Sequence, residues 1–206
     1  EECQPAKSVK APAVIADEQI DPELLAALSE LDRPRFSEIS VLHGKSGQFN
    51  FEADQTKTDE FSGIILHTHP ANVKWASAEP QKGELPECYS TDGLTGSLHG
   101  ACVDCQYNQM GSDTRGRRGK ACKNRRIFYV LLPGEFLPRR LNIPVSSMQA
   151  WETYLMGQLA AMNLSYTKVL TRFVASTTQS DDGIAYTEVN IGLDRRLDEV
   201  DVALVT

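Results

Sequence analysis

Four of the five cysteines are clustered, as Cys88, Cys102, Cys105 and Cys122, with the spacing C-x13-C-x2-C-x16-C. The close pair can place two thiolates on one metal ion, and the two flanking cysteines, each in a glycine-containing loop, can complete a tetrahedral site. A four-thiolate site has no open position for a substrate. The pattern therefore predicts one structural Zn²⁺, with His99 as an alternative to one thiolate. The competing interpretation, four free buried thiols, fits this polar segment poorly.

The second group with metal-binding chemistry is His67 and His69, in Leu-His-Thr-His-Pro. They alternate at the end of a predicted strand and so face the same side. A catalytic metal needs a third ligand and an open position, and no acidic partner lies nearby in sequence. A nucleobase deaminase would need H-x-E and a proline before the first cysteine, where Ala101 stands. We predict a non-catalytic protein, with a metal-dependent nuclease or hydrolase using these histidines as an alternative.

A basic segment overlaps the cysteine cluster, although the chain as a whole carries a net charge of −7. Between residues 106 and 126 seven cations face one acid, a local charge of +6. Cations that track phosphates, together with rings that stack on bases, are typical of single-strand binders; the alternative is a solvated charged loop. The predicted contacts are Arg115, Arg117, Arg118, Lys120, Lys123, Arg125 and Arg126, with Tyr89 and Tyr107 as the favoured rings and Trp75 and Tyr129 as rings for which core packing is at least as probable.

The elements that position these residues are mostly strands. Residues 36–77 read as three antiparallel strands, the third at 61–69, and a short fourth at 72–76. Residues 79–124 have no hydrophobic period, and an irregular segment of that length needs a cross-link such as a bound zinc ion to hold it together. Strands are predicted again at 126–132, 136–143, 166–175 and 184–191. A capping box at Ser146 and Gln149 predicts a helix with an apolar stripe, which comprises Met148, Trp151, Leu155, Leu159 and Met162.

The N-terminal part is predicted to be a flexible tail, residues 1–20, followed by a short helix that starts at Asp21 and stops before Pro34. Residues 21–206 then form one nucleic-acid-binding domain, with 79–125 as an inserted zinc module. The predicted fold class is mainly β (α+β), an OB-like Greek-key barrel with one long helix. A β-sandwich and an irregular α+β sheet are the alternatives.

The expected compartment is the cytoplasm. The apolar runs are far shorter than the roughly 20 residues needed to cross a bilayer, so no membrane partner is expected. Clustered cysteines in an odd total favour metal ligation in a reducing compartment over disulfides. Cys3, in the predicted tail, is expected to be a free thiol.

The stretch from Cys88-x-Ser90-x-Asp92-Gly93 through Gly100-x-Cys102-x-x-Cys105 to Gly119-Lys120-Ala-Cys122-Lys123 resembles a group of uncharacterised zinc-binding proteins from phages and integrated mobile elements. A barrel with looped-out zinc ligands also resembles the T4-type phage single-stranded DNA-binding protein, which uses one histidine and three cysteines. These resemblances imply a protein that binds single-stranded DNA and serves replication, recombination or transfer of a mobile element.

The expected ligand is therefore single-stranded DNA, with RNA as the alternative nucleic acid and with replication or recombination proteins as further partners. The main rival is a zinc-stapled adaptor between proteins. The sequence leaves open the oligomeric state, the base preference, and whether His99 replaces a cysteine.

Overall fold

The computed structural model describes residue 23 and residues 36–42, 46–77, 84–113, 119–180, 183 and 185–198. The predicted tail, nearly all of the predicted first helix, and the loop cations Arg115, Arg117 and Arg118 lie outside these ranges. No helix within them is long and apolar enough to cross a membrane.

The described residues are mainly β, as the sequence predicts. The strands are β1 (Glu38–Leu42), β2 (Gln48–Phe51), β3 (Thr56–Thr58), β4 (Glu60–Lys74), β5 (Cys88–Ser90), β6 (Thr95–Gly96), β7 (Gly100–Ala101), β8 (Lys123–Leu131), β9 (Arg139–Ile143), β10 (Val169–Gln179) and β11 (Ala185–Arg196). Short 3₁₀ turns lie at Gln106–Asn108, Val145–Ser147 and Tyr166–Lys168. The helix α1 covers Met148–Thr153.

One large sheet holds most of these strands in the order β11-β10-β4-β8-β9-β1-β2-β3, with β5 paired to β4. All its neighbours are antiparallel except β1 and β9, which run parallel, so the sheet is mixed. It curls into a half-barrel. The Thr187 hydroxyl on β11 donates to the carbonyl of Leu42 on β1 at 2.6 Å, which draws the two sides of the curl together.

The core fills the concave side of this curl, the inner face. Phe49 and Phe173 are fully buried in it, and the partly buried Phe61 packs against both, with its ring centroid 4.8 Å from that of Phe49 and 5.0 Å from that of Phe173. Gly63 permits close packing here, because a Cβ at this position would lie 2.4 Å from Cγ1 of Val130. Burial of such large side chains is the main favourable term for this fold.

The helix covers the open side of the core. α1 continues through a π-helical stretch, Tyr154–Leu159, and a 3₁₀ turn, Ala160–Met162. The wider π turn changes the predicted stripe: Tyr154 is fully buried, whereas Met162 is 37% exposed. Burial raises the pKa of Tyr154, whose hydroxyl is 2.8 Å from that of Thr171.

The predicted capping box does not form at the start of α1. The Ser146 hydroxyl instead donates to the carbonyl of Thr187, and the buried Ser147 hydroxyl accepts the backbone N–H of Val189 at 2.8 Å. Both serines therefore tie the helix to β11, because that strand offers backbone groups within reach.

The predicted fourth strand is the second half of β4, which runs without a break through Pro70. Proline lacks an N–H and normally marks a strand end. Here β10 pairs with β4 only at residues 60–63 and β5 only at 72–74. In the described residues that edge of β4 has no partner at Pro70, so the missing N–H leaves no ladder bond unmade.

Candidate metal centre and nucleic-acid interface

The four clustered cysteines lie in the connection between two neighbouring strands. β4 and β8 pair antiparallel as far as Val73 opposite Lys123, so the residues between them form one long, elaborated hairpin connection. β5 returns along β4, and β6 and β7 form a small separate sheet. We call residues 84–122 the cysteine module; it coincides with most of the predicted insertion at 79–125.

The module brings all four cysteines to one small cavity. Cys88, Cys102 and Cys122 are buried, and Cys105 is half-buried. The wall is completed by Gly96, where a Cβ would lie only 2.9 Å from the sulfur of Cys88 and 3.9 Å from that of Cys102. The absence of a side chain at Gly96 thus leaves room for the sulfurs.

The electrostatics of the cavity reflect the crowding of the thiols. Burial, followed by the charges of the other three cysteines, raises the pKa of Cys122 to about 11. Burial also raises the pKa of Cys88, but backbone N–H groups of Leu98 and His99 and the Ser97 hydroxyl face its sulfur and leave the net pKa lowered. Hydrogen bonds favour the thiolate form, which is the form that binds a metal ion, and a bound cation would reduce the repulsion between thiolates.

A chain of side-chain amides fixes the module to the sheet. Asn108 Nδ2 donates to the carbonyl of Cys102 at 2.7 Å, while its oxygen accepts Asn124 Nδ2 at 3.1 Å. Asn124 also donates to Asn72 Oδ1 at 2.7 Å, and Asn72 donates to the carbonyl of Gly93. The cysteine-bearing loops are therefore anchored on β4 and β8.

Asp92 shapes the loop that follows β5. Its carboxylate accepts the backbone N–H groups of Thr95 at 2.9 Å and Leu94 at 2.7 Å, together with the Ser90 hydroxyl. These bonds lower the pKa of Asp92 to about 2. The carboxylate stays ionised down to that pH, which keeps the turn between Cys88 and Cys102 in place.

His99, the alternative ligand, also lines the cavity. Its Nε2 is buried and has no hydrogen-bond partner among the described residues, and Glu87 Oε1 lies 3.9 Å away. Across the residues that the structure describes, no three or more His, Cys, Asp or Glu side chains form a metal-holding group as they stand. The four thiols and His99 therefore line one cavity but are not arranged as a metal-coordination shell.

The outer face of the sheet, opposite the core, carries the second site. Residues directly opposite each other on paired strands point to the same side. One row is His67, Tyr129, Arg140 and Glu38, across β4, β8, β9 and β1. In the next row, His69 and Asn142 lie on either side of Ile127. In the row after that, Arg125 lies beside Ala71. In the last row, Lys123 lies on one side of Val73 and Tyr89 on the other.

The rings on this face pack together. The His67 and His69 rings stack at 5.7 Å between centroids, and each is 6.0 Å from the ring of Tyr129. Phe36 meets Tyr129 edge-on at 5.4 Å. The prediction that His67 and His69 share a side is confirmed, although β4 continues beyond them. Ile65 is nevertheless buried, because a bulge between Ile65 and His67 turns the strand over.

Arg125 stands beside these rings with its guanidinium 4.9 Å from the centre of the Trp75 ring. Burial, followed by the charge of Arg140, lowers the pKa of Arg125. In the described part of the chain its guanidinium has no carboxylate within ion-pair distance. The charge of Glu38 opposes this by raising that pKa, but the Glu38 carboxylate is itself ion-paired with Arg140. A half-buried cation without a carboxylate of its own is costly and marks a place where an anion would bind.

The other predicted cations are placed differently. Arg126 points to the inner face, where its Nε donates to the Thr68 hydroxyl at 2.9 Å and its guanidinium lies over Trp151. Lys120 donates to Asn108 Oδ1, and Lys123 is held by Asp113 at 3.1 Å. The period of two along β8 thus separates Arg125 from Arg126, which the sequence had grouped.

The two favoured tyrosines also differ. Tyr89 is 52% exposed and points from β5 to the outer face. Tyr107 lines the cysteine cavity, with His99 4.9 Å away and the Lys74 ammonium 4.3 Å from its ring centroid. Sequence analysis missed Arg140 and Asn142, whose place on the outer face follows only from the strand register, and Phe36, which reaches that face through its ring contact with Tyr129.

His67 and His69 do not line the cysteine cavity. Changing His67→Ala and His69→Ala together is therefore expected to leave the zinc content of the purified protein unchanged. Elemental analysis of the double variant beside the wild type measures this. A loss of zinc would place a histidine among the ligands and revive the hydrolase alternative.

Scans against protein-family models, curated proteins and solved structures found no match to this chain.

Proposed function

We propose that this protein is a non-catalytic single-stranded DNA-binding protein and that the strand lies across the outer face. One observation carries the proposal: Tyr129, His67 and Tyr89 share that face with Arg125, a half-buried guanidinium without a carboxylate partner in the described residues. Replication, recombination or transfer of a mobile element is the process that such a protein would serve.

The chemistry of this face suits an unpaired strand. In a duplex the flat faces of the bases are covered by stacking on neighbouring base pairs, whereas an unpaired strand can unstack and present them. Stacking of such a base on an aromatic ring stabilises it by roughly 1–3 kcal/mol. Arg125 lies beside the rings, where a phosphate would run, whereas Arg140 in the row of Tyr129 is ion-paired with Glu38 and offsets the charge of that carboxylate. The curled sheet would then act as an OB-like barrel does, by offering one face of its strands to an oligonucleotide.

We further propose that the cysteine module binds one structural Zn²⁺. The donor set fits, because four thiols line one cavity and a Cβ at Gly96 would fill it. Rotation about χ1 moves a cysteine sulfur by about 3 Å between staggered positions, which is enough to gather the sulfurs around an ion. The ion would relieve the repulsion that raises the pKa of Cys122.

The metal would also support the strand-binding face. On β5, Cys88 and Ser90 are buried, whereas the side chain of Tyr89 between them is 52% exposed on the other side of the strand. Cys122 immediately precedes Lys123, the first residue of β8. Zinc bound to Cys88 and Cys122 would therefore fix one end of the face.

A salt titration tests the proposal. Binding of a labelled oligonucleotide, followed by fluorescence anisotropy, should weaken steeply with salt, with log K falling by about 0.7 per log unit of salt for each phosphate contact. An affinity that is the same for a single strand and a duplex and does not change with salt would contradict it. So would the absence of binding at low salt.

A protein adaptor is the second candidate function. The observation in its favour is that the cysteine module exposes large apolar side chains: Leu94 and Met110 are each 71% exposed, and Val103 is 75% exposed. Exposed apolar side chains of this kind are found at protein interfaces. Binding to a partner protein through them would persist at salt concentrations that release DNA.

A further inference from the structure

An open groove lies on the outer face where β9 ends. It is lined by Asn142 on β9, Arg125 and Lys123 from β8, Ser40 and Glu38 from β1, and Tyr186 from β11. The Glu38 carboxylate is ion-paired with Arg140, which offsets its charge beside the groove. The groove begins where the row of rings ends, because Asn142 lies opposite Ile127, the residue between Arg125 and Tyr129.

Asn142 has an unmet hydrogen-bonding capacity. Its Oδ1 is buried, and within the described residues it has no hydrogen-bond partner. A buried carbonyl oxygen without a donor costs free energy and is rare in folded proteins. Since the residue lines an open groove, rotation of its amide about χ2 can turn the Oδ1 toward a ligand that supplies the missing donor.

Arg125 is a second group in this groove that a ligand could pair with. Its guanidinium lies against Trp75 at the same groove and has no carboxylate partner among the described residues. A nucleotide carries both groups that are missing here, a phosphate for the cation and a base edge for the amide. Tyr186, in the same wall, offers a ring.

We propose that this groove seats one nucleotide of the bound strand, with its phosphate on Arg125 and an exocyclic amino group of its base donating to Asn142 Oδ1. The inference rests on the proposed function and adds a base preference to it. Cytosine and adenine present such an amino group. The ring N–H of thymine lies between two carbonyl oxygens, which the recessed amide oxygen would repel, so thymine is disfavoured.

The test uses the full-length protein and single-stranded oligonucleotides of about 12 nucleotides. The probes are oligodeoxycytidine, oligothymidine, and an oligomer in which 2-pyrimidinone, which lacks the 4-amino group, replaces cytosine. Wild type should bind the cytosine strand roughly 5- to 100-fold more tightly than either of the other two. In Asn142→Ala the three affinities should converge.

Asn190→Ala, an exposed asparagine on β11, is the matched control and should keep the preference. Circular dichroism and zinc content check that Asn142→Ala is folded; Asn142→Asp, which keeps an acceptor, should retain the preference for an amino-bearing base. The inference is overturned if wild type binds all three strands equally, or if Asn142→Ala keeps the wild-type ratio. In both cases the proposed function stands, whereas failure to bind any strand overturns both.

Discussion

Replacing Cys102 with serine is expected to abolish zinc binding and to disorder the cysteine module. The zinc content should fall from about one ion per chain to almost none, because a lost thiolate weakens a site whose binding free energy is about 10–16 kcal/mol in zinc-finger peptides. Few buried apolar groups would then hold the module. Elemental analysis and limited trypsin digestion measure the two effects.

Cys3→Ser is the matched control, since this fifth cysteine lies outside the cluster. Its zinc content and digestion pattern should match those of wild type. Serine variants of Cys88, Cys105 and Cys122 should behave like Cys102→Ser, unless His99 takes the place of one of them. Metal retained in all four single variants, or absent from the wild-type protein, would contradict the zinc proposal.

The second large effect is expected on the outer face. Tyr129→Ala should weaken single-strand binding by roughly 5- to 100-fold, which corresponds to one lost stacking contact, and should leave the salt slope almost unchanged. Arg125→Ala should weaken binding and also lower the slope by about 0.7, because one phosphate contact is lost. Anisotropy titrations at several salt concentrations separate the two.

Both variants have matched controls on exposed positions elsewhere. Phe136→Ala removes a ring that is 53% exposed in the turn between β8 and β9, and Lys57→Ala removes a cation from β3. Tyr129→Leu keeps apolar bulk at the half-buried position and should lose the same affinity as Tyr129→Ala. If Tyr129→Leu and Arg125→Ala bind as wild type does, the outer face is not the binding surface.

The cysteine cluster was the most predictable part of the site. Its spacing alone indicates convergence, because an irregular segment of that length needs a staple, and the structure places all four thiols around one cavity. The shared side of His67 and His69 was also predictable, since it follows from the period of two in a strand.

The strand-binding face was not predictable in the same way. It depends on which residues lie opposite each other on strands that are far apart in sequence, such as Arg140 opposite Tyr129. Alternation along β8 alone does not show which face is covered by the helix, so Arg125 and Arg126 had appeared equivalent. The bulge after Ile65 exchanges the two faces of β4, and apolar residues on both sides of it conceal the change.

The continuity of β4 and the π-helical stretch after α1 were missed for a similar reason. A proline normally ends a strand, but Pro70 does not, because in the described residues the adjacent edge of β4 is unpaired at that position. The stripe of Leu155 and Met162 follows the ordinary helical period, whereas a π turn shifts the register and buries Tyr154. In both cases tertiary context outweighs the local pattern.

The most direct test of the proposed function is a competition between a single-stranded oligonucleotide and a duplex of equal length and sequence. A labelled single strand bound to the wild-type protein is displaced by each unlabelled competitor in low salt. If bases stack on Tyr129 and its neighbours, the single strand should compete at a much lower concentration than the duplex, whose bases are already stacked. Equal competition, or displacement by neither, would contradict single-strand binding.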